Sequence, residues 1–169
     1  MSDKGSAEPA HDGRGAFSTA APGAATKSGL EIMRSGIGGD ISRRPGIGRS
    51  LNFWLVEADE GRVVFEGEPG VESLNPLGIV HGGRTLTVID SACGCATMTA
   101  LEAGVSYTTL ETKVNMVRAI QPNSGIYRCE GTLLARGRQI ITSEAKVIGA
   151  DGKLYAHGTS TCMLLRTRN

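Results

Sequence analysis

Apolar positions along this chain change rhythm twice. Residues 51–58 (LNFWLVEA) and 62–69 (RVVFEGEP) are short runs rich in β-branched and aromatic side chains, separated by Asp59-Glu60-Gly61. They predict two strands joined by a tight turn. Residues 84–102 then run without proline and carry apolar or small residues on nearly every side of a helical period, among them Leu86, Val88, Ile89, Ala92 and Ala96. That length exceeds an ordinary strand and predicts a buried helix, capped at its C-terminus by Gly104. Afterwards the period returns to two. Residues 107–119, 126–136, 138–150 and 153–165 predict four strands, broken at Pro122–Gly125, at Gly137 and at Asp151-Gly152. Such short breaks predict hairpins at all three connections and a mostly antiparallel sheet. In the last strand Leu154, Ala156, Gly158, Ser160 and Cys162 share one face. Small side chains there leave room for something thick, and the helix would supply it.

The pattern fades toward the N-terminus. Ala, Gly, Ser and Pro dominate residues 1–28, and Phe17 is the sizeable apolar side chain among them. A tract that buries so little cannot offset its ordering entropy, so a disordered tail is expected, with a single domain over residues 29–169. Within that domain Gly29–Ser35 predicts a short helix docked through Leu30, Ile32 and Met33, followed by a solvated loop that holds Arg43-Arg44. No apolar core of about seven residues follows the start, and no run approaches the roughly 18 apolar residues of a membrane span. These features point to a cytoplasmic location.

Composition narrows the function classes. The chain has 169 residues, a formal net charge of +1 and only seven aromatic residues, a poor platform for nucleic acid. Four cysteines and three histidines match neither a disulfide scaffold nor a metal-ligand motif, so no metal is expected. Cys93 and Cys95 read as packed core thiols. Of the 24 glycines, most fall in the tail or at turns. The pair Gly82-Gly83 does not; it follows His81 at the start of the predicted helix.

That pair begins the one cluster with chemical character. Two residues without side chains at a helix start let a ligand approach backbone amides closely, where the helix dipole favours developing negative charge. A polarised carbonyl or an oxyanion fits such a place. Asp90 lies mid-helix in the least polar stretch, and its neighbours at helical spacing, Leu86 and Gly94, cannot pair with it. It must meet a polar group from elsewhere: from a partner chain or a substrate, or, if the aspartate is only structural, from a strand. A carboxylate so placed is a candidate general base. His81 can cap the helix, orient Asn75 or act as a base; the sequence leaves these open.

The segment Asn75-Pro76-Leu77-Gly78-Ile79-Val80-His81-Gly82-Gly83, with Asp90 nine residues after the histidine, resembles the hotdog-fold acyl-CoA thioesterases, most closely the phenylacetate-degradation (PaaI-like) branch. The similarity continues through Thr108-Thr109-Leu110-Glu111, Gly137-Arg138 and Asp151-Gly152-Lys153-Leu154, and spans roughly residues 30–165. It implies an α+β hotdog fold, a long central helix wrapped by a mostly antiparallel sheet of five to six strands. It also implies a homodimer, often doubled to a tetramer, with active sites between subunits. One chain would give Asn75, His81, Gly82 and Gly83. The other would give the carboxylate of Asp90 and the hydroxyl of Thr108.

The implied reaction is hydrolysis of an acyl-CoA thioester, with Asp90 as base on water or as nucleophile. Coenzyme A is then part of the substrate, and no separate cofactor is expected. Substrate contacts are expected from Thr109, ranked behind Thr108 because adjacent strand residues face opposite ways, and from Arg136, Arg138, Arg118 and Arg84 at the mouth. The resemblance breaks at Met116-Val117-Arg118-Ala119, where relatives often carry an aromatic residue and a proline in the region lining the acyl channel. A noncatalytic binder of acyl-CoA or another apolar ligand is the alternative. A hotdog dehydratase would place a histidine in the helix, and this helix has none.

Overall fold

The computed structural model describes residues 26–38 and 46–165. The tail expected over residues 1–28 lies almost wholly outside them, as does Arg43-Arg44. Helix α1 (Gly29–Ser35) falls where the sequence places it. Its start is fixed by a capping box: the Ser28 hydroxyl accepts from the Glu31 amide, and the Glu31 carboxylate accepts from the Ser28 amide. Gly29 is held against the end of the long helix, its amide donating to Leu101 O at 2.9 Å. A second short helix, α2 (Gly46–Ser50), stands where a loop was expected.

Strands β1 (Phe53–Asp59) and β2 (Arg62–Gly67) form the first hairpin. After a loop comes the central helix α3 (Gly82–Thr99), then β3 (Ser106–Met116), β4 (Tyr127–Arg136), β5 (Ile140–Ile148) and β6 (Leu154–Leu165). The helix stops short of its predicted end: Ala100 is the cap, and Gly104, at φ +78°, makes the turn into β3. All neighbouring strands are antiparallel, in the order β1-β2-β4-β5-β6-β3. This is the hotdog architecture, with six strands wrapped about α3.

One predicted hairpin is absent. β3 and β4 follow each other through the Pro122–Gly125 turn, yet β3 pairs with β6 at the far edge. The connector crosses the end of the sheet, tied down by Val117 and Arg118 amides to Tyr155 O and by buried Ile120, whose carbonyl accepts from Val80. A turn motif specifies a reversal but not its partner; here a ten-residue link crosses two strands, β5 and β6, instead.

The core explains the small residues. Val88, Ile89, Ala92, Cys93 and Ala96 of α3 are buried against Val63, Cys129, Ala145, Val147 and Ala156 of the sheet. Each large aliphatic buried this way contributes about 1.5–3 kcal/mol. Close approach demands Gly158 on β6, where a Cβ would meet Ile89 Cγ2 at 2.9 Å. The face predicted for β6 therefore does carry the helix. Among the described residues no helix is long and apolar enough to cross a membrane.

Candidate active site

His81 is the N-cap of α3, with extended backbone (φ −63°, ψ 133°). Its Nδ1 accepts from the Gly83 amide at 2.9 Å, and its own amide donates to Ser73 O at 2.8 Å. Of the three roles open in the sequence, capping is therefore the one made in the structure. The consequence falls on the glycines. The Gly83 amide is engaged, and among the hydrogen bonds of the described residues none uses the Gly82 amide. Gly82 is the helix's first residue, and over it lies the end of the Met116 side chain.

Asn75 organises the approach to that helix. Its Oδ1 accepts from the amides of Leu77 (2.9 Å) and Ile79 (3.3 Å), an Asx-type turn that leaves Leu77 exposed. Its amide and carbonyl close the same loop through Ile79 O and Gly78 N.

Asp90 is half-buried and finds its polar company within its own chain: the Thr112 hydroxyl on β3 donates to Asp90 Oδ1 at 2.8 Å. Thr112 also lies 3.1 Å from the Ser160 hydroxyl of β6, which donates to Glu111 O at 2.9 Å. Thr112 was missed in the sequence, and the earlier threonines were placed without a sign there that β3 breaks step. The register slips between Thr109 and Glu111, a bulge that reverses the alternation. Strict alternation from Thr112 would put Thr108 on the helix side. With the bulge, Thr109 pairs with buried Cys162, on the helix-facing side, and Thr108 pairs with Met163 on the other. Both threonines are exposed on the edge strand. Ser160 was visible as one of the small residues on the β6 face, without a sign of its chemistry.

The arginines separate. Arg84, expected at the mouth, is buried instead. Its guanidinium donates to Leu51 O (2.7 Å from Nη2), Asn52 O (3.3 Å) and the Tyr127 hydroxyl (2.8 Å), and lies 5.0 Å from the Tyr127 ring centroid. It ties the helix start to the turn before β1 and to β4, and at 3% exposure it has no surface to offer a substrate. A buried guanidinium is tolerable there because these oxygens replace water. Arg118 is exposed beside the helix N-terminus. Arg136 and Arg138 are exposed at the β4–β5 hairpin, near the other end; Arg136 is 4.0 Å from Glu102.

The thiols are free and packed. Burial pushes Cys93 and Cys95 up to about 12, which keeps them protonated and unreactive at neutral pH. Among the described residues no group of His, Cys, Asp or Glu is arranged to hold a metal.

Residues 77–156 match the family described as Thioesterase superfamily. A curated relative, the putative esterase SSO2140 of Saccharolobus solfataricus, is 30% identical over 118 residues, covering 70% of this chain and 82% of the relative. The chain belongs to the hotdog-fold thioesterase superfamily. Its fold is shared with the PaaI protein of the Escherichia coli phenylacetic acid degradation operon (TM-score 0.67, 15% identity, 74% of this chain and 88% of that one). It is shared also with smu.793 of Streptococcus mutans, solved bound to acetyl CoA (TM-score 0.63, 24% identity, 70% and 92%).

Proposed function

We propose that the protein hydrolyses an acyl-CoA thioester to a free acid and CoA, in sites shared by two copies of the chain. The observation that carries this reading is the pairing of an unengaged amide at the start of α3, Gly82, with a hydroxyl-anchored carboxylate eight residues on, Asp90. Superfamily membership and the acetyl CoA held by the Streptococcus mutans relative support the substrate class.

The spacing argues for two copies. Eight residues of helix separate Gly82 from Asp90 by about 12 Å along the axis, too far for both to serve one carbonyl. Edge strand β3 is long, and it exposes Thr108, Thr109 and Leu110. Such an edge invites a second strand. A two-fold pairing there is self-complementary and exchanges the ends of the two helices. Asp90 of one copy then approaches Gly82 of the other, and Thr108 and Thr109 border the same space. The Arg136–Arg138 hairpin, a helix length from Gly82 in its own chain, comes toward the other copy's site. With Arg118 it would meet the CoA phosphates.

In this reading the acyl oxygen accepts from the Gly82 amide, which stabilises the oxyanion of the tetrahedral intermediate. Asn75 holds the thioester or the water. Thr112 orients Asp90 through Oδ1, and the carboxylate takes a proton from water as it attacks the carbonyl carbon. The carbon–sulfur bond breaks, and the proton passes to the departing CoA sulfur.

The test is thiol release from a panel of short, medium and aromatic acyl-CoAs. Asp90→Asn should still bind its substrate and lose about 10²–10⁴-fold in kcat. Equal turnover by the variant removes Asp90 from the chemistry. Tight binding of one acyl-CoA without turnover of any would make the protein a binding module.

A further inference from the structure

The hydroxyls behind Asp90 do not carry enough hydrogens. Three close contacts run in series: Thr112 Oγ1 to Asp90 Oδ1 (2.8 Å), Thr112 Oγ1 to Ser160 Oγ (3.1 Å) and Ser160 Oγ to Glu111 O (2.9 Å). Two hydroxyls supply two hydrogens. When Asp90 is ionised, Thr112 must donate to the carboxylate, because a carboxylate can only accept. Ser160 has one hydrogen for two neighbours, Thr112 and the Glu111 carbonyl, which can only accept. One of its two contacts is then left with no hydrogen.

A neutral carboxyl changes the count. With its proton on Oδ1, Asp90 donates to Thr112, Thr112 to Ser160 and Ser160 to Glu111 O. Every contact now has one hydrogen, and all point the same way, so each bond polarises the next. Ser160 is fully buried and no water competes for it. We infer that Thr112 and Ser160 form a reversing hydroxyl relay that is complete only when Asp90 is neutral, which makes them positioning residues for the proton held by the base.

The ionisable side chains acting on this part of the core are Cys93 and Cys95 of α3, Tyr107 of β3, Cys162 of β6 and Glu144 of β5. Burial holds Cys93, Cys95 and Tyr107 neutral well past physiological pH. The Glu111 carboxylate turns away, to the Thr161 hydroxyl at 3.3 Å. None of these bonds to Asp90.

The functional meaning of the relay rests on Asp90 being the base of the proposed hydrolysis, but its test does not need turnover. Infrared difference spectra of the whole protein against its Asp90→Asn variant isolate the Asp90 carboxyl, and a pH series gives the midpoint at which its neutral band appears. Ser160→Ala removes two bonds from the neutral chain, Thr112 to Ser160 and Ser160 to Glu111 O, and only one from the ionised state. The neutral form therefore loses more. The midpoint should move to lower pH by about one unit, the scale of one buried hydrogen bond. Alanine is a residue β6 already carries on this face, at Ala156, and Ser160→Gly repeats the measurement should alanine disturb packing. Thr112→Ser keeps the hydroxyl and should leave the midpoint in place. An unmoved or raised midpoint in both Ser160 variants overturns the relay. A lowered midpoint in a protein that cleaves no thioester keeps the relay and sinks the hydrolase reading instead.

Discussion

At the scale of single residues, the start of α3 is built so that one amide can be removed cleanly. Gly82 is the first helical residue, where proline is tolerated because that N–H has no intrahelical partner. His81, before it, already has the extended backbone that a following proline requires. The nearest atom to an added Cβ is Met116 Cε at 3.2 Å, the far end of a flexible side chain. Gly82→Pro should therefore fold normally, with an unchanged circular dichroism spectrum and denaturation midpoint. If the amide stabilises an oxyanion, kcat should fall about 10²–10³-fold. Retained turnover would move that role to another donor. Gly83 would be the wrong target, since its amide already bonds His81 Nδ1.

At the scale of elements, closeness between helix and sheet sets the tolerances. Gly131 of β4 faces the backbone carbonyl of Ala92 so nearly that a methyl group has no room. The obstacle is helix backbone, which cannot swing aside. Gly131→Ala should cost about 1–3 kcal/mol, read as a lower urea midpoint at unchanged slope. The outer face of the first hairpin behaves differently. Glu57 there bonds Arg62 at 2.8 Å and also Arg128, and these two guanidinium bonds hold its carboxyl below the usual glutamate range. A lowered folded value contributes stability above the ordinary glutamate range, and that contribution is lost as pH falls through the folded value. Wild type should thus exceed Glu57→Gln in denaturant midpoint at pH 7 and lose the advantage near pH 3. An advantage that persists in acid would mean Glu57 acts through packing.

The elements were largely legible because each strand and the helix carries its own period. The unread features arise from relations between elements. The β3 bulge moves Thr109, rather than Thr108, to the helix side, and a slipped register leaves no mark in side-chain type. Arg84 looked like a surface cation because nothing local reveals that Leu51, Asn52 and Tyr127 converge on it. The crossover from β3 to β4 was hidden for the same reason: Pro122–Gly125 specifies a turn and says nothing of which strand lies beside β3.

At the scale of the whole molecule, the question is whether one chain holds a complete site. In a single chain Gly82 and Asp90 are separated by about 12 Å of helix. Arg136 and Arg138 sit near the opposite end of the sheet from Arg118. If sites form between copies, two inactive variants can repair each other. Asp90→Asn keeps the amide and lacks the base; Gly82→Pro keeps the base and lacks the amide. A mixed dimer pairs the intact Asp90 of one chain with the intact Gly82 of the other, giving one whole site and one doubly damaged site. Random reassortment makes half the dimers mixed, so co-refolded variants should recover about a quarter of wild-type activity. Each variant refolded alone should stay about 100-fold or more below wild type, and sedimentation should give the dimer mass or a multiple of it. A stable monomer that turns over thioester, or mixtures no more active than their parents, would place both groups in one chain's service and overturn the shared site. The stoichiometry carries the argument because protein misfolding lowers activity in every mixture and cannot raise it in one.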